Sequence, residues 1–450
     1  KKKKILLGGE IVGEDIVDNL RILTNAEIYD VYGPSETTIW STLKKLDGKT
    51  VNAGKPIDNT YIYILDSKRS AIGKFNGALK GITCQEISSQ IITQMLNEVN
   101  IKKENVDELI VGNVLQANQG QNIARQIILN CKFPIECCGY TINMVCGSGM
   151  KAVFNAYVSI KAKQAKCIIA GGVENMSNSP YMLLTNEIKS VNQKDIISHM
   201  IKDSLIDAVS GEHMGKTAEN IAQKYNITRE EQDLFAYNSH VKAAKAIEDK
   251  VFTKEIVPIH IKDREILVDE HVRNDCSIKK LNSLKPTFSA DGTVTAGNSS
   301  GINDGGSFLI IADEEYRDKA EAEIIDFAQI GNEPEIMGMG AYLAIKKLID
   351  KNNISFSDID LFEINEAFAV QTIAVINELS QNYKYKREEL ISKVNISGGA
   401  IALGHPLGAS GARVITTLIT NLKRRNMKYG VASLCIGGGM GIAILIKNVD

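Results

Sequence analysis

Cys146 stands in Val145-Cys146-Gly147-Ser148-Gly149, after an apolar stretch and ahead of Met150-Lys151-Ala152-Val153-Phe154, which reads as a helix. A cysteine at a strand-to-helix turn meets unpaired N–H groups and a partial positive charge, which favour thiolate over thiol. The flanking glycines leave room for a substrate to approach the backbone. A buried structural cysteine fits the same stretch. Three further segments bear on the choice. His405 lies between Gly404 and Pro406 on a tight loop, a suitable base for a thiol at neutral pH. Cys435, in Cys435-Ile436-Gly437-Gly438-Gly439-Met440, could move a proton at carbon, or be a small buried side chain before a turn. Asn365 opens Asn365-Glu366-Ala367-Phe368-Ala369, where it could order a water or cap a helix. Backbone N–H groups of the glycine turns could hold an oxyanion. Together these residues make a reaction possible, with a nucleophile, groups that move its protons and donors for a developing oxyanion.

The elements that must position them alternate. The pattern predicts helices at 84–99, 122–129 and 147–163 and strands at 108–112, 138–145 and 166–171. Residues 174–300 break the rhythm, with helices only near 215–225 and 229–249, and read as an inserted subdomain. Alternation returns with strands at 323–329, 359–363, 392–396, 430–436 and 441–446 and helices at 338–350, 366–379 and 409–424. The glycine-rich cysteine turn recurs at 435–440, so two similar halves are expected, each a βαβ arrangement with a mainly parallel sheet.

Composition excludes several classes. Lys plus Arg is 52 against 54 for Asp plus Glu, so no basic signature points to nucleic acid. No apolar run approaches the roughly 18–20 residues of a membrane-spanning helix. The eight cysteines and six histidines lack the spacing of metal ligands, so no metal is expected, and a reduced cytoplasmic protein is. Four lysines open the chain with no Met and too short an apolar run for a signal peptide, which suggests a start inside a longer reading frame or processing.

From about residue 60 to 450 the chain resembles the thiolases of acetyl-CoA acetyltransferase type. The carriers are R-S-A-I-G-K-F at 69–75, I-N-M-V-C-G-S-G at 142–149, G-G-V-E-N-M-S at 171–177, H-M-G-K-T-A-E-N at 213–220, T-V-T-A-G-N-S-S-G-I-N-D-G at 293–305, N-E-A-F-A at 365–369, G-H-P-L-G-A-S-G at 404–411 and C-I-G-G-G at 435–439. The resemblance implies an α/β fold, a five-layer αβαβα sandwich of duplicated halves with an inserted loop subdomain. It divides the chain into 57–175 plus 301–320, a CoA-binding insertion at 176–300, and 321–450. It implies that Cys146 is the nucleophile, His405 its activator and Cys435 the acid/base. Asn365 with His405 would make one oxyanion hole, and the N–H groups of Cys146 and Gly437 the other. Leu205, His213, Met214, Arg273, Phe288, Ala296, Gly297, Ser300 and Phe368 would line the CoA and acyl pocket, although Arg273 also fits a plain surface arginine. Acetyl-CoA, acetoacetyl-CoA and CoA would be substrates and products, with no cofactor, in a homodimer or homotetramer. A broader 3-ketoacyl-CoA thiolase and a non-catalytic interaction module are the competing readings.

The front piece differs. L-L-G-G-E at 6–10, V-Y-G-P-S-E-T at 31–37 and A-G-K-P-I-D-N-T at 53–60 resemble a fragment of a nonribosomal peptide synthetase adenylation domain. Residues 1–56 lack that family's phosphate-binding loop and catalytic lysine, so adenylation is not expected of them. The run Tyr61-Ile62-Tyr63-Ile64-Leu65 fits both families, and is expected to supply the first strand of the thiolase-like sheet.

Overall fold

The computed structural model describes residues 61–183, 195–352 and 354–449, together with the backbone of four strands ahead of them. The chain divides into two compact units, Lys1–Thr60 and Tyr61–Asp450. In the first, Lys4–Gly8 runs parallel to Glu27–Tyr32, which pairs antiparallel with Thr42–Lys45, and that strand in turn with Lys55–Pro56. The β-prone run Ile28-Tyr29-Asp30-Val31-Tyr32 thus forms a strand, while the turns that Gly33-Pro34-Ser35-Glu36 and Asp47-Gly48-Lys49 predict lie outside the described residues.

The second unit is built on nine main strands: β1 (Tyr63–Arg69), β2 (Glu108–Gly112), β3 (Cys138–Ile142), β4 (Cys167–Asn175), β5 (Asn303–Ala312), β6 (Ala322–Gly331), β7 (Leu361–Ile364), β8 (Tyr429–Ile436) and β9 (Met440–Asn448). One half has the order β3-β2-β4-β5-β1 and the other β7-β8-β9-β6. Each half holds parallel strands on one side and antiparallel ones on the other: β2 is parallel to β3 and β4, and β7 to β8, while β5 and β9 run against their neighbours. The halves join where Ile64 pairs with Ala322 and Tyr63 with Glu323.

Helices complete the layers. α1 (Cys84–Val99) and α2 (Ile123–Asn130) cover the outer face of the first half. The sheets enclose α3 (Ser148–Lys161) and α8 (Leu407–Arg425), while α4 (Met214–Tyr225) and α5 (Arg229–Glu248) belong to the insertion. α6 (Gly340–Asn352) and α7 (Ala369–Tyr383) cover the outer face of the second half. This is the expected five-layer αβαβα arrangement. Every residue of α8 from Leu407 to Ile419 is buried, as a helix between two sheets requires. Its opening G-A-S-G-A run lets α3 come close: a Cβ on Gly149 would meet the Gly408 carbonyl oxygen at 2.7 Å.

Strand β1 is the hinge of this architecture in sequence terms. Ile62, Tyr63, Ile64 and Leu65 are all buried, and β1 lies between β5 and β6. At its end the wholly buried Arg69 bonds Glu255 through Nε at 2.6 Å and Asp269 through both Nη atoms at 2.7 and 3.0 Å. Its guanidinium also lies 4.9 Å from the Phe252 ring centroid. Arg69 thereby fastens the inserted segment to the sheet. Arg69→Ala would leave two carboxylates buried without their cation, so urea denaturation is expected to show a loss of about 3–5 kcal/mol.

Three expectations need correction. The sheet is not mainly parallel: among the nine strands only the pairs β2–β3, β2–β4 and β7–β8 run parallel, because β5 and β9 return against their neighbours and β6 runs against β1. Residues 392–396 are not a strand. Arg387–Lys393 is a helix with Glu388 and Glu389 in its first turn and Lys393 in its last, a charge order that suits the helix dipole. After it, the Asn395 side chain accepts from Ile364 N–H and donates to Ile364 C=O, each at 2.8 Å, replacing a strand at the β7 edge. The helix read from 366 begins at Ala369 with Phe368 at its cap, so Asn365 caps nothing there.

Candidate active site

Cys146 sits on a turn latched from both sides. Met144 N–H donates to Ser148 Oγ at 2.8 Å, and that hydroxyl donates to the Val145 carbonyl at 2.7 Å. Val145 has φ 46°, a left-handed conformation that costs a β-branched residue energy and persists only where its surroundings enforce it. Gly147 follows, and a Cβ there would run into Ile436 Cδ1, so the cysteine turn is pressed against the end of β8, where Cys435 lies.

His405 is buried on the loop before α8. Its backbone N–H donates to Asn303 Oδ1 at 3.0 Å, and Gly404, with φ 109°, leaves room for that same asparagine. Ser410 Oγ lies 2.6 Å from Nδ1 and 2.9 Å from the Pro406 carbonyl. A hydroxyl has one proton, and the carbonyl can only accept, so Ser410 donates to Pro406 and accepts from Nδ1–H. Nε2 is then the bare, basic nitrogen. Asn365 Nδ2 lies 3.4 Å from it, and Asn365 Oδ1 is buried without a hydrogen-bond partner among the described residues. An orphaned acceptor beside a basic nitrogen suits an ordered water.

The electrostatics correct the thiolate reading. Burial pushes the Cys146 thiol up to about 11, although the N–H groups of Gly437 and of Cys146 itself are aimed at the sulfur and pull the other way. Burial, helped by the Arg413 charge, pushes His405 down to about 3. Cys435 is raised by burial and then by the nearby Cys146 sulfur. The resting pair is a neutral thiol and a neutral imidazole, because desolvation outweighs the helix start. Iodoacetamide alkylation of Cys146 is therefore expected to quicken about tenfold per pH unit from pH 7 to 9, as thiolate grows. A plateau extending down to pH 5 would instead reveal a preformed ion pair.

A cavity of about 400 Å³ opens over this centre, and Cys146, His405 and Gly437 line it with Leu205, His213, Met214, Arg273, Phe288, Ala296, Ser300 and Phe368. Cys435 and Asn365 are fully buried beside it rather than on its wall. Gly297 lines an adjoining cavity of about 300 Å³, which shares His271, Arg273 and Ala296 with the first. Phe288 stacks on His213 at 4.6 Å and meets Phe368 edge-on at 6.3 Å, and a Cβ on Gly215 would strike the Phe288 ring. These rings make the cavity a largely apolar slot.

Sequence reasoning missed Met176, His271 and Met337 on the cavity wall, and Glu174 behind it. The Glu174 carboxylate, fully buried, accepts from Val114, Leu115 and Gly408 N–H at 3.0, 3.0 and 2.8 Å, and from Asn113 Nδ2 at 3.0 Å. It ties the first half to the opening of α8, and burial lifts it to about 7. Its signal was a glutamate inside an otherwise apolar strand, where only a structured set of donors makes an acid tolerable.

Residues 62–315 match the thiolase N-terminal domain and 318–448 the thiolase C-terminal domain. The chain belongs to the thiolase family. It is 43% identical over 397 residues to an acetyl-CoA acetyltransferase of Escherichia coli, spanning 86% of this chain and 99% of that one. An acetyl-CoA acetyltransferase of Syntrophomonas wolfei is 42% identical, over 86% of this chain and 98% of its own. Among solved structures, the Bacillus anthracis acetyl-CoA acetyltransferase superposes with a TM-score of 0.82 at 41% identity, covering 87% of this chain and 99% of that one. The human mitochondrial 3-ketoacyl-CoA thiolase in complex with CoA gives 0.81 at 38% identity, over 87% and 98%. Residues 2–76 match an AMP-binding enzyme, so both families claim 62–76, the stretch that holds β1.

Proposed function

We propose that this chain is an acetyl-CoA C-acetyltransferase, joining two acetyl-CoA into acetoacetyl-CoA and CoA, or running the reverse thiolysis. The observation that carries this reading is the convergence of Cys146, a bare His405 Nε2 and the Gly437 N–H on the floor of one apolar cavity, with Cys435 beside them. Cys146 Sγ attacks the acetyl carbonyl as its proton passes to His405 Nε2. The imidazolium returns that proton to the departing CoA sulfur, leaving acetyl-Cys146. The Cys435 thiol passes its proton to the freed His405 Nε2, and the thiolate so formed removes a proton from the methyl of a second acetyl-CoA; the carbanion attacks the acetyl-enzyme, releasing the Cys146 thiolate. That thiolate takes the proton from the His405 imidazolium, so Cys146, His405 and Cys435 all return to their neutral forms. Cys146 and Gly437 N–H groups hold the oxyanion of the acyl-enzyme, and a water on Asn365 with His405 holds that of the enolate.

No cofactor is needed for these steps, since CoA enters only as part of the substrate. The insertion at 176–300 supports CoA binding through His213, Phe288, Ala296 and Ser300, and Gly297 and Arg273 extend that surface outward. We assign the chain to a homodimer or homotetramer, which light scattering on the purified chain would distinguish. No helix among the described residues is long and apolar enough to cross a membrane.

Mixing the chain with acetyl-CoA tests the reading. A mass gain of one acetyl group, mapped to Cys146, is expected; failure to acetylate Cys146 with the thiol demonstrably reduced would sink it. Thiolysis rates for acetoacetyl-CoA against longer 3-ketoacyl-CoAs would then set the chain-length range.

A further inference from the structure

A second row of nucleophile, base and acid lies outside this cavity. Ser179 follows the short turn Met176–Asn178, His199 follows the strand Ile196–Ser198, and Asp203 lies in the helical turn Ile201–Leu205. Ser179 Oγ is 3.1 Å from His199 Nδ1, and His199 Nε2 is 3.3 Å from Asp203 Oδ2. The His199 side chain is only 7% exposed, whereas Asp203 reaches solvent at 49%. Asp203 stands at ion-pair rather than hydrogen-bond geometry, and its charge beside Nε2 favours the proton on that nitrogen. That leaves the Nδ1 lone pair facing the Ser179 hydroxyl, the tautomer a general base requires.

The row is not needed to hold its two strands together. Tyr181–Leu183 and Ile196–Ser198 already pair antiparallel, and His199 N–H donates to the Pro180 carbonyl at 3.2 Å. Ser179 also lies on the wall of a separate cavity of about 580 Å³. That wall is rich in amides, including Gln85, Gln119, Asn175 and Asn178, and carries Glu86 but no lysine or arginine. A site without a cation does not suit the phosphates of CoA. It suits an uncharged ligand with hydroxyl or carbonyl groups that amides can bond.

We propose that Ser179, His199 and Asp203 form a second acyl-transfer site, which hydrolyses a small uncharged carboxylic ester. Ser179 Oγ bonds to the acyl carbon as its proton passes to His199 Nδ1. The acyl–oxygen bond to the alcohol breaks, and the leaving alkoxide takes that proton. Water then adds to the acyl carbon, giving one proton to Nδ1; the bond to Ser179 breaks, the acid departs, and Oγ recovers the proton. The proposal stands apart from acetyl transfer at Cys146.

The test uses the full chain carrying Cys146→Ala, which removes the first acyl acceptor, with p-nitrophenyl acetate as probe. Sustained p-nitrophenol release is expected, and adding Ser179→Ala should lower it about 100-fold or more. Asp203→Asn keeps the shape of the row but not its charge, and should lower the rate at least about tenfold. In the unmutated chain, a fluorophosphonate probe should label Ser179, as read by peptide mass mapping. Equal rates with and without Ser179→Ala, no change with Asp203→Asn, or absence of label on Ser179 would each overturn the proposal.

Discussion

A chain lacking residues 1–66 is expected not to fold, while one lacking residues 1–56 is expected to fold and to thiolyse acetoacetyl-CoA. The longer deletion removes Ile62, Tyr63, Ile64 and Leu65, all buried at 3% exposure or less. At about 1.5–3 kcal/mol per buried side chain, their loss rivals the whole stability of a typical domain, about 5–15 kcal/mol. It also strips β5 and β6 of much of the strand between them, leaving backbone groups inside the sheet without partners. The shorter deletion stays within the first compact unit, which ends at Thr60. Circular dichroism and thiolysis rates on the two truncations check this. Equal behaviour of the pair would show that β1 does not act as the first strand of the thiolase-like unit.

Cys435→Ala is expected to separate the two halves of the reaction. Acetyl-Cys146 should still form, because Cys146, His405 Nε2 and the Gly437 N–H are untouched, but condensation should fall by about 10²–10⁴-fold for want of the acid/base. His405→Ala should instead slow acetylation itself by a similar factor. Mass spectrometry of the acetyl-enzyme beside steady-state acetoacetyl-CoA formation reads both. Rapid condensation by Cys435→Ala would remove Cys435 from its role.

The candidate site at Cys146, His405 and Cys435 was legible as a set of positions because each lies in a short local pattern whose glycines declare a tight turn. Elements with strong periodicity, such as α1, were placed to the residue. What failed was tertiary. The thiolate reading rested on a helix start, a local feature, whereas the thiol is governed by the cover that Val114, Leu115, Met176 and Leu407 place around it. Strand β5 went unread because Asn303, Asp304 and two glycines open it, and only the finished fold shows Asn303 holding His405. The strand expected at 392–396 failed because the Asn395 side chain does the work of a ladder.

The neutral resting pair also bears on survival under oxidants. Peroxide attacks thiolate, and burial holds Cys146 mainly as the thiol at pH 7. The burial that holds the proton on Cys146 is therefore expected to slow its conversion to sulfenic acid.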